Sequence, residues 1–121
     1  MRVLVVDDEP LVRRLIADDL AAEGHDVLEA KDADDAVKSW LSNDPVHLVV
    51  TDVRMPGSMD GFGLARWLKA QQPAPKVLVI SGFAGQEPRG ARAYDAYLGK
   101  PFTGRAFKKA VDRVIGEAGG N

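Results

Sequence analysis

The 121-residue chain contains no cysteine. That excludes a disulfide framework, a thiolate metal site and a cysteine nucleophile. Its two histidines, His25 and His47, stand well apart and are too few for a histidine metal cluster. Neither sign of charge dominates, with a net charge of −2 and a pI near 5.6. A chain without a basic excess lacks the usual means of sequence-independent nucleic-acid binding. No apolar run approaches the roughly 20 residues that cross a bilayer. The amino terminus runs from Met1 directly into an acidic pair and lacks the cleavage region of a signal peptide. No linker, repeat or low-complexity block interrupts the chain. With 45% hydrophobic and 28% charged residues, the composition is that of an ordinary globular domain. The expectation is one domain over residues 1–121, with 117–121 a flexible tail. The start at Met1 and the short tail suit a stand-alone protein. Such a protein would be cytoplasmic, a monomer or weak dimer, without nucleic-acid or membrane partners.

What is present is a set of short, β-branched runs that end in chemically useful residues. Arg2 to Val6 reads as a strand covered on both faces and ends in Asp7-Asp8-Glu9. Pro10 suits the first position of a helix, and Leu11, Val12, Leu15, Ile16 and Leu20 recur at helical spacing until Gly24 closes the segment. Asp26 to Ala30 is a second strand. A helix starting at Asp32 or Ala33 carries Ala36, Val37, Trp40 and Leu41 on one face and stops at Asn43-Asp44-Pro45. His47 to Asp52 is the third strand, broken by Met55-Pro56-Gly57. Asp60 can cap a helix bearing Phe62, Leu64, Ala65, Trp67 and Leu68. Lys76 to Ile80 is a fourth strand, ending at Ser81-Gly82, and Ala96 to Gly99 a fifth. Between them Pro88 and Gly90 leave room for one short or irregular helix within 83–95. Thr103 can cap a last helix with a stripe of Phe107, Ala110, Val111, Val114 and Ile115. Alternating strands and helices joined by right-handed crossovers predict a single α/β domain with a parallel, doubly wound sheet of the flavodoxin-like type. Five helical segments, the fourth short or irregular, would flank it.

In such a sheet the carboxyl ends of the strands share one edge, where open α/β folds bind ligands. That edge collects Asp7 and Asp8, then Asp52, then Ser81, then Lys100. Three neighbouring carboxylates repel one another by roughly 4 kcal/mol per pair at about 4 Å and an effective dielectric near 20. A hard divalent cation removes that penalty, and Mg²⁺ favours one or two carboxylates together with waters and phosphate oxygens. A carboxylate beside Mg²⁺, with a lysine and a hydroxyl ready for further anionic oxygens, suits phosphoryl transfer onto Asp52. Each residue alone admits a plainer reading. The acidic run could be a helix start favoured by the dipole, Asp52 a turn cap, Ser81-Gly82 a turn, Lys100 a solvated side chain, and Tyr97 a core aromatic. Their convergence on one edge, in compatible types, favours the chemistry.

The blocks Val3-Leu4-Val5-Val6-Asp7-Asp8-Glu9, Thr51-Asp52-Val53-Arg54-Met55-Pro56, Ser81-Gly82 and Tyr97-Leu98-Gly99-Lys100-Pro101-Phe102, in that order, resemble the receiver domains of two-component response regulators. Among these, the chain is similar to the stand-alone chemotaxis-type regulators. The resemblance spans nearly the whole chain. It implies the sheet order 2-1-3-4-5 and a phosphoryl group accepted on Asp52 from a histidine kinase or phosphotransfer protein. It further implies Mg²⁺ held by Asp8 and Asp52, by the backbone carbonyl of Arg54 and, mostly through water, by Asp7. Ser81 and Lys100 would bind phosphoryl oxygens, Gly82 would leave room for them, and Ser81 with Tyr97 would form the switch. The Lys100–Pro101 bond is typically cis in that family. Output would pass to a downstream protein target, and Lys108, Lys109, Asp112 and Arg113 on the last helix are either part of that face or simply solvated.

Two segments depart from the family pattern. The loop Met55 to Gly61 is one residue longer than the common form, and the stretch from Ser81 to Lys100 is shorter. Phe83 and Arg54, two positions beyond the serine and the acceptor, are bulky neighbours expected to alter the lifetime of the phosphorylated state. Three other readings compete. A phosphatase of the haloacid-dehalogenase type needs an acid two residues after its nucleophile, where Arg54 stands after Asp52. A flavodoxin-like cofactor binder needs a phosphate-binding loop after strand one, where Asp7-Asp8-Glu9 would repel a phosphate. A degenerate receiver acting only as a binding module would not need all five site residues.

Overall fold

The β-branched runs form strands because their side chains pack well on both faces of a pleated sheet. In the computed structural model, which describes residues 1–42, 45–82 and 93–118, these are β1 (Arg2–Val6), β2 (Asp26–Ala30), β3 (Leu48–Asp52), β4 (Lys76–Ser81) and β5 (Ala96–Gly99). They pair in parallel in the order β2-β1-β3-β4-β5. The helices are α1 (Pro10–Ala22), α2 (Ala33–Ser42), α3 (Gly61–Lys69) and α4 (Gly104–Ala118). The sheet is thus the doubly wound one expected, with four helices among the described residues. The fourth helical segment anticipated within 83–95 falls mostly on 83–92, outside the described residues, and 93–95 are not helical. α4 runs two residues into the predicted tail, of which 119–121 also lie outside the description.

Local signals account for the boundaries. Pro10 opens α1, and Gly24 follows its end with φ of +90°, a conformation that a side chain would disfavour. Asp32 accepts a bond from the Asp35 N–H at the start of α2, Asp60 accepts from the Gly63 N–H at the start of α3, and the Thr103 hydroxyl accepts from the Ala106 N–H at the start of α4. Such caps satisfy amide groups that the first turn leaves without partners.

Two apolar layers cover the sheet. Leu4, Val6, Val49, Val77 and Val79 face α2 and α3 with Leu64 and Leu68. Val3, Val5, Val50, Leu78 and Ile80 face α1 and α4 with Ile16, Leu20, Phe107, Val111 and Val114. The predicted α4 stripe is the buried one. The predicted α1 stripe is buried only in part: Ile16 and Leu20 are buried together with Ala17, and Val12 packs against them, whereas Leu11 and Leu15 are 81% and 67% exposed. Leu41 is likewise exposed, while Val37 and Trp40 pack on the core. At about 100° per residue, Leu11 lies nearly opposite the Ile16–Leu20 face, so a stripe drawn through all five apolar positions was too wide. No described helix is long and apolar enough to cross a membrane.

Candidate functional site

Strand register assembles the site. Val6 lies opposite Thr51, which sets Asp7 beside Asp52. Asp52 lies opposite Ile80, so Ser81 is one step beyond it. Ser81 lies opposite Gly99, and the Lys100 N–H donates to the Ser81 carbonyl at 2.6 Å. Residues from four strand ends thereby meet in an open cavity of about 450 Å³, lined by Asp8, Glu9, Val12, Asp52, Arg54, Ser81, Gly82 and Lys100.

Carboxylate oxygens of Asp7, Asp8 and Asp52 lie within 4.8 Å of one another. Asp7 is fully buried, Asp52 nearly so, and Asp8 is exposed. The Asp7 main-chain N–H donates to the Ala30 carbonyl, and its Oδ1 accepts the Glu9 N–H at 2.9 Å. Its Oδ2 is buried with no hydrogen-bond partner and lies 3.6 Å from the Lys100 ammonium. Burial holds the Asp7 carboxyl above its usual range and the Asp52 carboxylate raises it further, against the lowering effects of the Glu9 N–H and Lys100. Asp52 Oδ1 accepts the Val53 N–H at 2.8 Å, and Oδ2 lies 3.4 Å from Lys100 Nζ. One ammonium thus faces two buried acids. A buried carboxylate oxygen left without a donor, within reach of two further carboxylates, is the donor set that a hard divalent cation completes.

The residues singled out in the sequence fall into two groups. Asp8, Asp52, Arg54, Ser81, Gly82 and Lys100 share the cavity, and Asp7, which does not line it, lies 3.6 Å from Lys100 and within 4.8 Å of Asp8 and Asp52. Tyr97 does not line the cavity. It lies opposite Val79, packs on the α2–α3 side of the core, and has its ring 6.2 Å from that of Tyr94, which in turn meets Phe62 at 5.9 Å. Phe83 lies outside the described residues. The Lys100–Pro101 bond is cis, as is Gln72–Pro73.

Three contributions escaped the sequence reading. Glu9 and Val12 line the cavity because α1 begins at its rim. Gly61 starts α3 directly against the acceptor strand, donating its N–H to the Val53 carbonyl at 2.8 Å. The lengthened loop before it is tied to α2, where the Ser58 hydroxyl donates to Asp34 Oδ1 at 2.6 Å and holds the Asp34 carboxyl below its usual range. The Asp60-Gly61 pair carried a capping signal, but neither its approach to Asp52 nor the Ser58 tether has a local signature.

A family model described as the response regulator receiver domain matches residues 3–112. The chain is 39% identical over 120 residues to a gliding motility regulatory protein of Myxococcus xanthus, matching 94% of this chain but 15% of that protein. It is 32% identical over 126 residues to a CheY chemotaxis homologue of Campylobacter jejuni, covering 99% of this chain and 96% of the relative. Among solved structures it resembles the response regulator TrrA of Thermotoga maritima in complex with Mg²⁺ and BeF, with TM-score 0.83, 29% identity, and coverage of 93% of this chain and 97% of that one. TrrA in complex with the histidine kinase ThkA matches with TM-score 0.79 and 30% identity, over 94% of this chain and 97% of that one.

Proposed function

The chain belongs to the response regulator receiver domain family, and from that membership we propose that Asp52 accepts a phosphoryl group from a phosphohistidine and that the modified domain signals to a protein partner. The donor is a histidine kinase or a phosphotransfer protein, a reading supported by the kinase complex of TrrA. The observation that carries the proposal is the arrangement around Asp52. Two further carboxylates lie within 4.8 Å, and one cation, Lys100, faces both Asp52 and the unpartnered oxygen of Asp7.

The Asp52 Oδ2 oxygen, the one not tied to the Val53 N–H, attacks phosphorus. A P–O bond forms as the P–N bond to the donor imidazole breaks, and the ring nitrogen keeps the bonding pair. The Lys100 ammonium follows the charge from the Asp52 carboxylate to the transferred group. Ser81, buried at the end of β4 beside the cavity, supplies a hydroxyl for another phosphoryl oxygen, and the exposed Gly82 leaves that side clear. Mg²⁺ held by Asp7, Asp8, Asp52 and the Arg54 carbonyl would neutralise the oxygens of the transferring group. The TrrA complex with Mg²⁺ and BeF supports that cofactor.

Phosphorylation adds a charge of about −1.5 to −2, and inverting a two-state switch from 1:99 to 99:1 takes about 5.5 kcal/mol of differential stabilisation. Ser81 and Lys100 sense the new charge, and Tyr97 transmits it into the Tyr94–Phe62 contact. The protein acts as a regulator rather than a turnover enzyme. With a kinase donor that draws on ATP, the protein would work in the cytoplasm.

The test is treatment with acetyl phosphate or beryllofluoride, with and without Mg²⁺, followed by intact mass and amide spectra for wild type and Asp52→Ala. A Mg²⁺-dependent adduct of wild type that Asp52→Ala lacks is the expected outcome. No Mg²⁺-dependent change in wild type refutes the switch, and steady turnover of an added phosphomonoester points to a phosphatase instead.

A further inference from the structure

Arg13 lies on α1, one turn past the acidic run, with its side chain only 19% exposed. Its Nη1 donates to the main-chain carbonyl of Asp7 at 2.9 Å, and its Nε donates to Glu29 Oε1 at 3.1 Å. The other oxygen of Glu29 accepts from Arg14 Nη1 at 3.1 Å. Glu29 belongs to β2, paired with Val5 of β1.

The main chain of Asp7 is therefore held at both ends: its N–H by the Ala30 carbonyl of β2 and its carbonyl by Arg13. From these contacts we propose that Arg13 is a positioning residue for the cation site, and that Glu29 is its anchor. The role of a cation here rests on the reading of Asp7, Asp8 and Asp52 given above. Three carboxylates drawn together push one another apart, and Asp7 and Asp8 sit on a turn rather than inside a strand. A guanidinium can resist that spreading because its planar fork serves two partners at fixed angles. Loss of the fork leaves the Asp7 carbonyl short of a donor, and the turn is then free to reorient in order to satisfy it. A lysine keeps the charge but cannot reach both acceptors in the same geometry.

The experiment measures Mg²⁺ affinity of the whole chain by calorimetric titration, beside urea unfolding in EDTA, for wild type, Arg13→Met, Arg13→Lys, Glu29→Gln and the double variant Arg13→Met/Glu29→Gln. Groups that orient metal ligands typically change metal affinity by about 10- to 100-fold when removed, and a loss of about tenfold is expected for Arg13→Met. Arg13→Lys stays well below wild type, Glu29→Gln shows a smaller loss, and the double variant matches Arg13→Met alone because both changes act through one contact. Wild-type affinity in Arg13→Met, full recovery in Arg13→Lys, or additive losses in the double variant would each overturn the proposal. Should Arg13→Met fail to fold, Arg13→Lys and Glu29→Gln carry the same test. A wild-type chain that binds no Mg²⁺ refutes the cation site itself. Binding by wild type with equal binding by the variants refutes only the role of Arg13.

Discussion

Gly61 offers the sharpest test of how the acceptor strand is held. It is the first residue of α3, and its backbone passes so close to β3 that a Cβ would lie 2.0 Å from the Asp52 carbonyl oxygen and 2.9 Å from both the Asp52 carbonyl carbon and Val53 Cα. All three atoms are main chain, so no side-chain rotation relieves the overlap. Either α3 or the end of β3 must move by about 1 Å, taking the bond from the Gly61 N–H to the Val53 carbonyl with it. Overpacking of this kind costs typically 1–3 kcal/mol, and a lost main-chain hydrogen bond adds about 1 kcal/mol. The reduced entropy of the unfolded alanine chain returns about 0.4–1 kcal/mol. Gly61→Ala is thus expected to lose roughly 2 kcal/mol, seen as a lower urea midpoint at unchanged slope, and to react more slowly with acetyl phosphate because Asp52 is displaced. Gly116→Ala is the control. A Cβ there meets nothing within 4 Å and sits inside α4, so the same substitution should stabilise by about 0.5–1 kcal/mol. A Gly61→Ala midpoint equal to wild type, or equal losses at both sites, refutes the reasoning.

Two further outcomes follow from the charges at the site. Burial raises the carboxyl pKa of Asp7 in the folded chain, so folding favours its protonated form. The associated stability is present below the unfolded value near 3.8 and is lost as pH rises through the raised folded value. Asp7→Asn should therefore stabilise the cation-free protein at pH 7, with the gain shrinking as urea titrations are repeated toward pH 4; a gain independent of pH would count against this account. Lys100 lies 3.4 Å from Asp52 and 3.6 Å from Asp7, so its charge opposes a second cation while serving the phosphoryl group. Lys100→Met should tighten Mg²⁺ binding about three- to tenfold yet slow modification by acetyl phosphate by about 100-fold; parallel losses in both assays would refute that division of roles.

Much of the fold is legible in the sequence because its signals are local. Val3 to Val6, Leu48 to Val50 and Val77 to Ile80 are apolar on both faces, and strands buried on both sides require helices above and below. Pro10, Asp60 and Thr103 mark helix starts by chemistry confined to one turn. The site was legible for a related reason: parallel strands bring their carboxyl ends to one edge, whatever their order. The exposure of Leu11, Leu15 and Leu41 is not legible there, because periodicity marks apolar positions without locating the centre of the buried face. Only the packing of α1 on β1 and β2 leaves Leu11 and Leu15 facing outward, an apolar pair one turn apart beside the cavity residues Glu9 and Val12.

The amino-acid sequence by itself determined the five strands, their alternation with helices, and the chemical types waiting at the strand ends. These depend on side-chain period, capping and turn chemistry within a few residues of one another. Tertiary structure decided the rest: the 4.8 Å cluster of acids, the sharing of Lys100 between two of them, the contact of Gly61 with the main chain of Asp52, and the reach of Arg13 to the Asp7 carbonyl. Each joins segments far apart in the chain, through a strand register and helix placement that no short window of sequence specifies.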